Sequence, residues 1–172
     1  GANEGPVSLS IPTLDLARVA RLVASTTGLE GLTGAFDASA KLNLDAKGRA
    51  SASAVASLTA LSARKGDGRF RIEAAALDLK PSVVGEASAF DVTLAIKNLV
   101  ATGYSNRDAG LNEPALTLVG KIVRQENGDL SFGTAAAPLT ITGQSLSGTL
   151  SGAVRNVASD AAEADVKAHV GV

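Results

Sequence analysis

The only histidine of the chain, His169, is the first candidate for chemistry. A histidine that acts as a base or binds a metal needs a second group to orient its ring. Asp165 is on the same face of the alternating segment but lies four residues away. We therefore interpret His169 as a structural or solvent-facing side chain.

The segment Gly143–Gly148 (GQSLSG) is similar to a nucleophile elbow, with Ser145 in the place of the nucleophile. An elbow places its serine on a strand-to-helix turn between two glycines. Here the second glycine comes one position late, and the flanking segments both alternate as strands do. The pattern favours a Gly/Ser-rich turn over a hydrolase site.

A polar loop is predicted over Gly103–Pro114, and within it Asn106–Glu113 has oxygen-bearing residues at alternate positions, as calcium loops do. Gly110 stands at the fifth place of this run rather than the sixth, and Glu113 closes the run far too early for calcium. We interpret the segment as a solvated loop. Since no P-loop, dinucleotide fingerprint or paired His/Glu motif is present, we predict no catalytic residue, no metal site, no cofactor and no enzymatic activity.

The composition limits the classes of partner. The net charge is −1, the 16 basic and 17 acidic residues are scattered, and the aromatic residues are four Phe and one Tyr. Nucleic-acid-binding proteins normally carry a basic patch and often stacking aromatics, so nucleic acid is not a predicted partner. The chain has no cysteine, which excludes disulfides and thiolate metal sites and fits an oxidising compartment such as the cell envelope.

The 172 residues suffice for one domain with a core. Because methionine is absent even at position 1, we interpret Gly1-Ala2 as a tag scar and residues 3–172 as a single β-rich domain of a larger protein. This domain divides into a helix–strand unit at 7–48 and a sheet at 49–172. No apolar run approaches the roughly 20 residues that span a bilayer, so membrane contact is expected only through an anchor outside this sequence.

The stretch Phe36–Asp45 alternates strictly between apolar and polar residues, which predicts a half-buried strand. A first strand is predicted at 7–11, ended by Pro12. An amphipathic helix is predicted at about 15–27, with Asp15 as its N-cap and a glycine after its end. Because so short a helix is marginal alone, we expect it to dock on the apolar face of the sheet.

The same alternation recurs along the rest of the chain, separated by turn signals. Asp45–Gly48, Lys65–Gly68 and Glu126–Asp129 each hold a glycine where a hairpin needs a positive φ. The apolar phase flips near Ala75-Ala76, for which a β-bulge is the expected repair. We predict a mainly β fold, a long curved antiparallel meander of about nine or ten strands that is taco-like or a partly open barrel.

The larger apolar residues of these strands are predicted to share one face of the sheet. They are Phe36, Leu42, Leu44, Phe70, Ile72, Val92, Leu94, Ile96, Leu116, Leu118 and Ile122. A helix of three turns is only ~16 Å long and cannot cover nine or ten strands. The face is then either closed by the sheet curling on itself or occupied by a partner or ligand.

Two stretches of the sequence carry a family resemblance. The first, GLEGLTGAFDASAKLNLDAKG (28–48), follows the predicted helix and the run Leu14-Asp15-Leu16. The second is VTLAIKNLVATGYSNRDAGLNEPALTLVGKI (92–122), which is similar to a strand–turn–strand module. Together they resemble the AsmA-like superfamily of Gram-negative envelope proteins, to which TamB-like proteins are related.

This resemblance implies a curled sheet with an apolar inner groove, in a protein anchored in the inner membrane and extending through the periplasm. The chain would be a non-enzymatic periplasmic segment that binds or conducts lipid, in phospholipid transport or outer-membrane biogenesis. Its implied partners are phospholipid or another acyl chain and the neighbouring segments of the parent protein. The alternative is a structural or interaction β-domain of a secreted or envelope protein, with a closed core and no ligand.

Overall fold

The computed structural model describes most of the chain. The described residues are 7–44, 50–82, 89–103, 110–125, 127–134, 137–155 and 163–171. Gly1-Ala2, which we interpret as a tag scar, and the turn predicted at Asp45–Gly48 lie outside them. Within them the chain forms ten strands, one 3-10 turn and one helix.

The ten strands belong to one antiparallel sheet. They are β1 (Val7–Asp15), β2 (Glu30–Leu44), β3 (Ala50–Lys65), β4 (Gly68–Pro81), β5 (Ala89–Thr102), β6 (Leu111–Arg124), β7 (Leu130–Phe132), β8 (Leu139–Gly143), β9 (Ser147–Arg155) and β10 (Glu163–Gly171). Consecutive strands from β1 to β7 are paired with one another, and β7 and β8 together fill the place between β6 and β9. β1 and β10 are the two edges, so the sheet is open and the predicted antiparallel meander is confirmed.

Strand β1 continues past the proline that was predicted to end it. Pro12 lies inside the strand, and the pairing with β2 shifts register between Ile11 and Leu14. The predicted end at Pro12 is wrong because β1 is an edge strand. A proline lacks the N–H that a central strand needs, but an edge strand can turn that position to solvent.

The predicted helix is present in two pieces, a 3-10 turn at Leu16–Arg18 and helix α1 at Ala20–Thr27. The Asp15 carboxylate caps the first piece by accepting a backbone N–H two residues on, at 3.0 Å. Val19, with φ −100° and ψ 0°, separates the two pieces. α1 lies mainly against β2 and the 3-10 turn, so it leaves most of the sheet uncovered.

Two glycine turns form as predicted. Gly66, with a φ of +57°, lies in the two-residue connection between β3 and β4, whose end residues Lys65 and Gly68 are paired. Gly128, with a φ of +87°, donates its N–H to the Gln125 carbonyl at 2.9 Å between β6 and β7. Both positions use the conformational freedom that only glycine has at low cost.

One row across the middle of the sheet lacks a pair between neighbouring strands. It runs through Ala60 on β3, Glu73 on β4, Asn98 on β5 and Pro114 on β6, and we call it the break row. Ala60 and Asn98 both have a φ of 51°. The register of each ladder is the same on both sides of the row. The bulge predicted near Ala75-Ala76 is therefore replaced by a break that four strands share.

The break row reverses the alternation of side chains along each strand. On β5, Lys97 and Asn98 are both exposed, whereas Ile96 and Leu99 both turn to the more buried side. A residue outside the extended region can place two successive side chains on one face, as it does in a bulge. Because neighbouring strands reverse at the same level, the apolar side chains stay on one face without any strand slipping.

Replacing Ala60 by glycine should stabilise the fold. A left-handed conformation costs a non-glycine residue roughly 1–2 kcal/mol, while the unfolded-state freedom of glycine removes about 0.5–1 kcal/mol of that gain. We expect a net gain of up to about 1 kcal/mol in the free energy of unfolding, measured by urea denaturation. Asn98→Gly is the control, with a smaller gain because asparagine tolerates this conformation. A loss of stability in Ala60→Gly would contradict a strained backbone there.

Candidate functional site

Neighbouring strands place apolar residues opposite one another on one face, which we call the inner face. One row consists of Leu77, Leu94, Leu118 and Ile141, on β4, β5, β6 and β8. The next row consists of Leu58, Ala75, Ile96 and Leu116, on β3 to β6. Paired residues of antiparallel strands share a face, so each row is a continuous apolar stripe of roughly 14 Å at ~4.8 Å per strand.

The residues predicted for this face all lie in strands. Phe36, Leu42 and Leu44 are in β2, Phe70 and Ile72 in β4, Val92, Leu94 and Ile96 in β5, and Leu116, Leu118 and Ile122 in β6. Strand pairing and the break row bring them to the inner face, apart from Leu44, whose side chain lies outside the described part of the structure.

Three of the most buried residues were not among those predicted for the face. Leu32, Leu99 and Leu139 are each less than a tenth exposed. Leu139 begins a run in which apolar and polar residues alternate, and this alternation could have predicted that its side chain is buried. Leu99 is out of phase with Val92, Leu94 and Ile96, and only the break at Asn98 returns it to their side.

Burial of the inner-face side chains is greatest at individual residues near the centre of the sheet and falls towards both edges. Val92 and Ile72, near the centre, are 5% and 6% exposed. Leu9 on β1 is 69% exposed, and Val166 and Val170 on β10 are 52% and 54% exposed. A closed barrel or sandwich would bury such residues, so both rims of the face present apolar side chains to solvent.

A cavity of about 270 Å³ shows that the inner face is concave. Its lining is Ala40, Ala52, Ser53, Ala54, Leu79, Phe90, Ile122 and Leu130. Ala40 on β2 and Leu130 on β7 are separated by β3 to β6, so they can line one cavity only because the sheet curls. The fold is therefore a curled sheet with an open trough.

The opposite, outer face carries most of the charged side chains of the sheet. Ser57 donates to the Asp37 carboxylate at 2.5 Å, and Lys97 Nζ lies 2.7 Å from Glu73 Oε1. Lys97 and the amide of Asn98 lower the pKa of Glu73, and Glu73 raises the pKa of Lys97. Exposed ion pairs of this kind contribute little stability, but they identify the face that water covers.

Glu113 was predicted to lie in a solvated loop, and the structure contradicts this. Strand β6 begins at Leu111, and Glu113 is its third residue. Its side chain is the largest fully buried one among the described residues, at 0% exposure. The run of polar residues before Pro114 predicted an exposed side chain, because a carboxylate is rarely buried unless it has hydrogen-bond partners. For Glu113 this pattern was misleading.

The buried carboxylate of Glu113 is surrounded by donors from the turn between β8 and β9. Its Oε2 accepts the Gln144 N–H at 2.7 Å, and its Oε1 accepts the Ser145 N–H at 2.8 Å and the Ser145 hydroxyl. The Ser145 hydroxyl and the N–H groups of Gln144, Ser145 and Leu146 lower the pKa of Glu113 against the opposing effect of burial. A side chain on Gly143 would come within 2.7 Å of Oε2. The carboxylate thus fastens this turn to β6 and is inaccessible to a substrate.

The remaining candidates for chemistry, the Gly143–Gly148 segment and His169, lie in a turn between strands and in an edge strand. Gly143 donates its N–H to the Leu146 carbonyl at 2.7 Å, so Gly143–Gly148 is a strand-to-strand turn as predicted. His169 lies opposite Thr149 on the edge strand β10. Among the described residues, no group of His, Cys, Asp or Glu side chains is arranged to hold a metal ion. In the same residues, no helix has the length and apolar character that a membrane span requires.

Comparisons with known proteins assign this geometry to no family. No family model matches the chain, and neither a curated protein nor a solved structure matches it. The inner face and its exposed rims are therefore the features of the molecule from which a function can be inferred.

Proposed function

We propose that the chain is a non-enzymatic lipid-binding groove, in which an acyl chain lies along the inner face. The observation that carries the proposal is the exposure of apolar side chains at both rims of a concave sheet. Leu9 belongs to the first edge strand, and Val166 and Val170 belong to the last. A contiguous apolar surface of this extent is rare on soluble monomers unless it contacts a ligand, a partner or a membrane.

The lining suits a slender, flexible ligand. On β2 and β3 the floor is shallow because paired alanines form it, Ala38 with Ala56 and Ala40 with Ala54. Larger leucine and isoleucine side chains form the floor on β4 to β6. Each methylene that moves from water onto apolar surface gains roughly 0.8 kcal/mol, so about ten methylenes would gain roughly 8 kcal/mol before the costs of ordering.

The polar head group of a bound lipid would lie at the rim of the inner face. Glu113 is charged, but its two oxygens are already occupied by the turn at Gln144 and Ser145. A ligand lying on the leucine rows would meet carbon atoms, and its polar end would have to remain in water beyond an edge strand. Phospholipid has this combination of apolar chains and a polar end.

We further propose that the chain is a periplasmic segment of an AsmA-like or TamB-like envelope protein, acting in phospholipid transport or outer-membrane biogenesis. Two observations support this. The stretches that resemble the superfamily, 28–48 and 92–122, include β2 and most of β5 and β6, which contribute much of the inner face. The absence of cysteine is compatible with an oxidising compartment. Neighbouring segments of the parent protein are the proposed partners.

Lipid carried by the purified chain tests the groove. We expect phospholipid in organic extracts of protein purified from a Gram-negative host, detected by mass spectrometry. We also expect saturable uptake of a fluorescent phospholipid by the delipidated protein. A chain that carries no lipid and takes up none would overturn the proposal and favour a purely structural domain.

A further inference from the structure

We propose that two copies of the chain pair through strand β10, antiparallel and edge to edge, so that the two sheets become one. β10 pairs with β9 along its whole length, from Glu163 opposite Arg155 to Gly171 opposite Ser147. Its other side has no partner strand in the described part of the chain. A free strand edge presents unpaired N–H and C=O groups and is a template for another strand.

The two edges of the sheet differ in their protection against such pairing. β1 holds Pro12 and a register shift between Ile11 and Leu14, and both features interrupt a regular row of edge groups. β10 has neither proline nor register shift over its nine residues, and all nine are exposed. The edge with a regular, uninterrupted row of backbone groups is therefore β10.

The side chains of β10 select one register for a pair of identical strands. Its outer-face residues are Glu163, Asp165, Lys167 and His169. When Val166 lies opposite Val166 of the second copy, Asp165 faces Lys167 and Glu163 faces His169. Both contacts occur twice by symmetry. The Asp165–Lys167 pairs bring opposite charges together across the strands, which is favourable, whereas like charges are unfavourable.

Every neighbouring register is worse. A slip of two residues in one direction keeps two opposite-charge contacts, Glu163 with Lys167, but adds a repulsive contact of Asp165 with Asp165. In the other direction it places Lys167 opposite Lys167. A slip of one residue places the polar face of one copy beside the apolar face of the other. The sequence of β10 is thus complementary to itself about Val166, as a two-fold interface requires.

The pairing has two consequences that do not depend on a bound lipid. The inner faces of the two copies become continuous across Val166 and Ala168, which are exposed in the single chain. Because the same edge is used by both copies, the contact closes and assembly stops at two on this edge.

Cysteine cross-linking tests the register directly, because the chain has no cysteine of its own. In Val166→Cys the two new thiols lie directly opposite, with Cα atoms roughly 4.5–5.5 Å apart, which suits a disulfide. In Val170→Cys they are eight residues apart along the pair, roughly 27 Å. These positions are 52% and 54% exposed in the single chain, so accessibility is matched. We expect oxidation to give a covalent dimer of Val166→Cys and little of Val170→Cys. Equal cross-linking of both variants, or none of Val166→Cys, would overturn the proposal.

A charge exchange gives a second, independent measurement. Sedimentation velocity on the delipidated wild type should show a concentration-dependent dimer. Lys167→Asp places acid opposite acid twice and should weaken the dimer at least tenfold, whereas the double variant Asp165→Lys/Lys167→Asp should restore it. Lys41→Asp, on the outer face of β2, is the control and should dimerise as the wild type does. A monomeric wild type, or a dimer indifferent to Lys167→Asp, excludes this interface whatever the outcome of lipid binding.

Discussion

Replacing Leu94 by aspartate should leave the chain folded and abolish its binding of acyl chains. Leu94 lies between Leu77 on β4 and Leu118 on β6, in the middle of the inner face, and is half-buried. In a closed core an unpaired carboxylate would cost several kcal/mol and unfold the domain. On an open face the carboxylate reaches water, so the cost is mainly the lost leucine burial, about 1–2 kcal/mol.

The same carboxylate opposes the ligand because methylenes would have to displace its water. We expect the affinity for a fluorescent phospholipid to fall tenfold or more, which corresponds to about 1.4 kcal/mol. Circular dichroism and thermal melting report the fold, and a titration reports the binding.

Val119→Asp is the matched control for this variant. Val119 lies on β6 opposite Thr93, on the outer face, and is 49% exposed. The chemical change is of the same kind, but the inner face is untouched, so folding and lipid binding should both persist. An unfolded Leu94→Asp beside a folded Val119→Asp would indicate a closed core. A folded Leu94→Asp that binds lipid normally would exclude this face as the site.

Replacing Glu113 by glutamine should lower the melting temperature substantially. The new amide keeps one acceptor oxygen, but its NH2 group would face a backbone N–H of Gln144 or Ser145. Buried donors without acceptors are costly, and for a chain of this size we expect a fall on the order of 5 °C by calorimetry. Glu73→Gln is the control, because Glu73 lies on the break row, one row away from Glu113, but its bonds to Lys97 and Asn98 are exposed. Equal effects of both variants would contradict the role given to Glu113.

Acid should lower the folding stability of the wild type more than that of the Glu113→Gln variant. The pKa of Glu113 is lower in the folded chain than in the unfolded chain, chiefly because the Ser145 hydroxyl donates to the carboxylate. The ionised Glu113 carboxylate therefore contributes fully to the free energy of unfolding above the ordinary glutamate pKa of about 4.3. This contribution is lost as the pH falls through the lower pKa of the folded chain. We expect the difference in stability between wild type and Glu113→Gln to shrink progressively below about pH 4.3. A constant difference from neutral to acid pH would contradict this linkage.

The alternation of apolar and polar residues was enough to predict the class of fold. It predicted an antiparallel meander of about nine or ten strands, and the described residues form ten, because period two is a local property of each segment. The glycines at Gly66 and Gly128 located two turns for the same reason, since a positive φ is also a local requirement.

The errors of prediction all involve relations between strands. Pro12 ends a strand only when a partner needs its N–H, and β1 has a partner on one side. The flip near Ala75-Ala76 resembles a bulge in one strand, but four strands share it, and their register is not visible in any one segment. Glu113 looks like a loop residue until the turn at Ser145, more than thirty residues later, supplies its donors.

The order of strands in the sheet has a consequence for how the chain folds. From β2 to β6, each strand pairs with the strand that precedes it and the strand that follows it. Such a sheet has low contact order for an all-β protein, so hairpins can form without first closing long loops. Its energetics are those of a nearest-neighbour array, in which a further hairpin can be inserted between two strands without re-pairing the remainder. A chain of this kind can change its number of strands over evolution by small, independent steps.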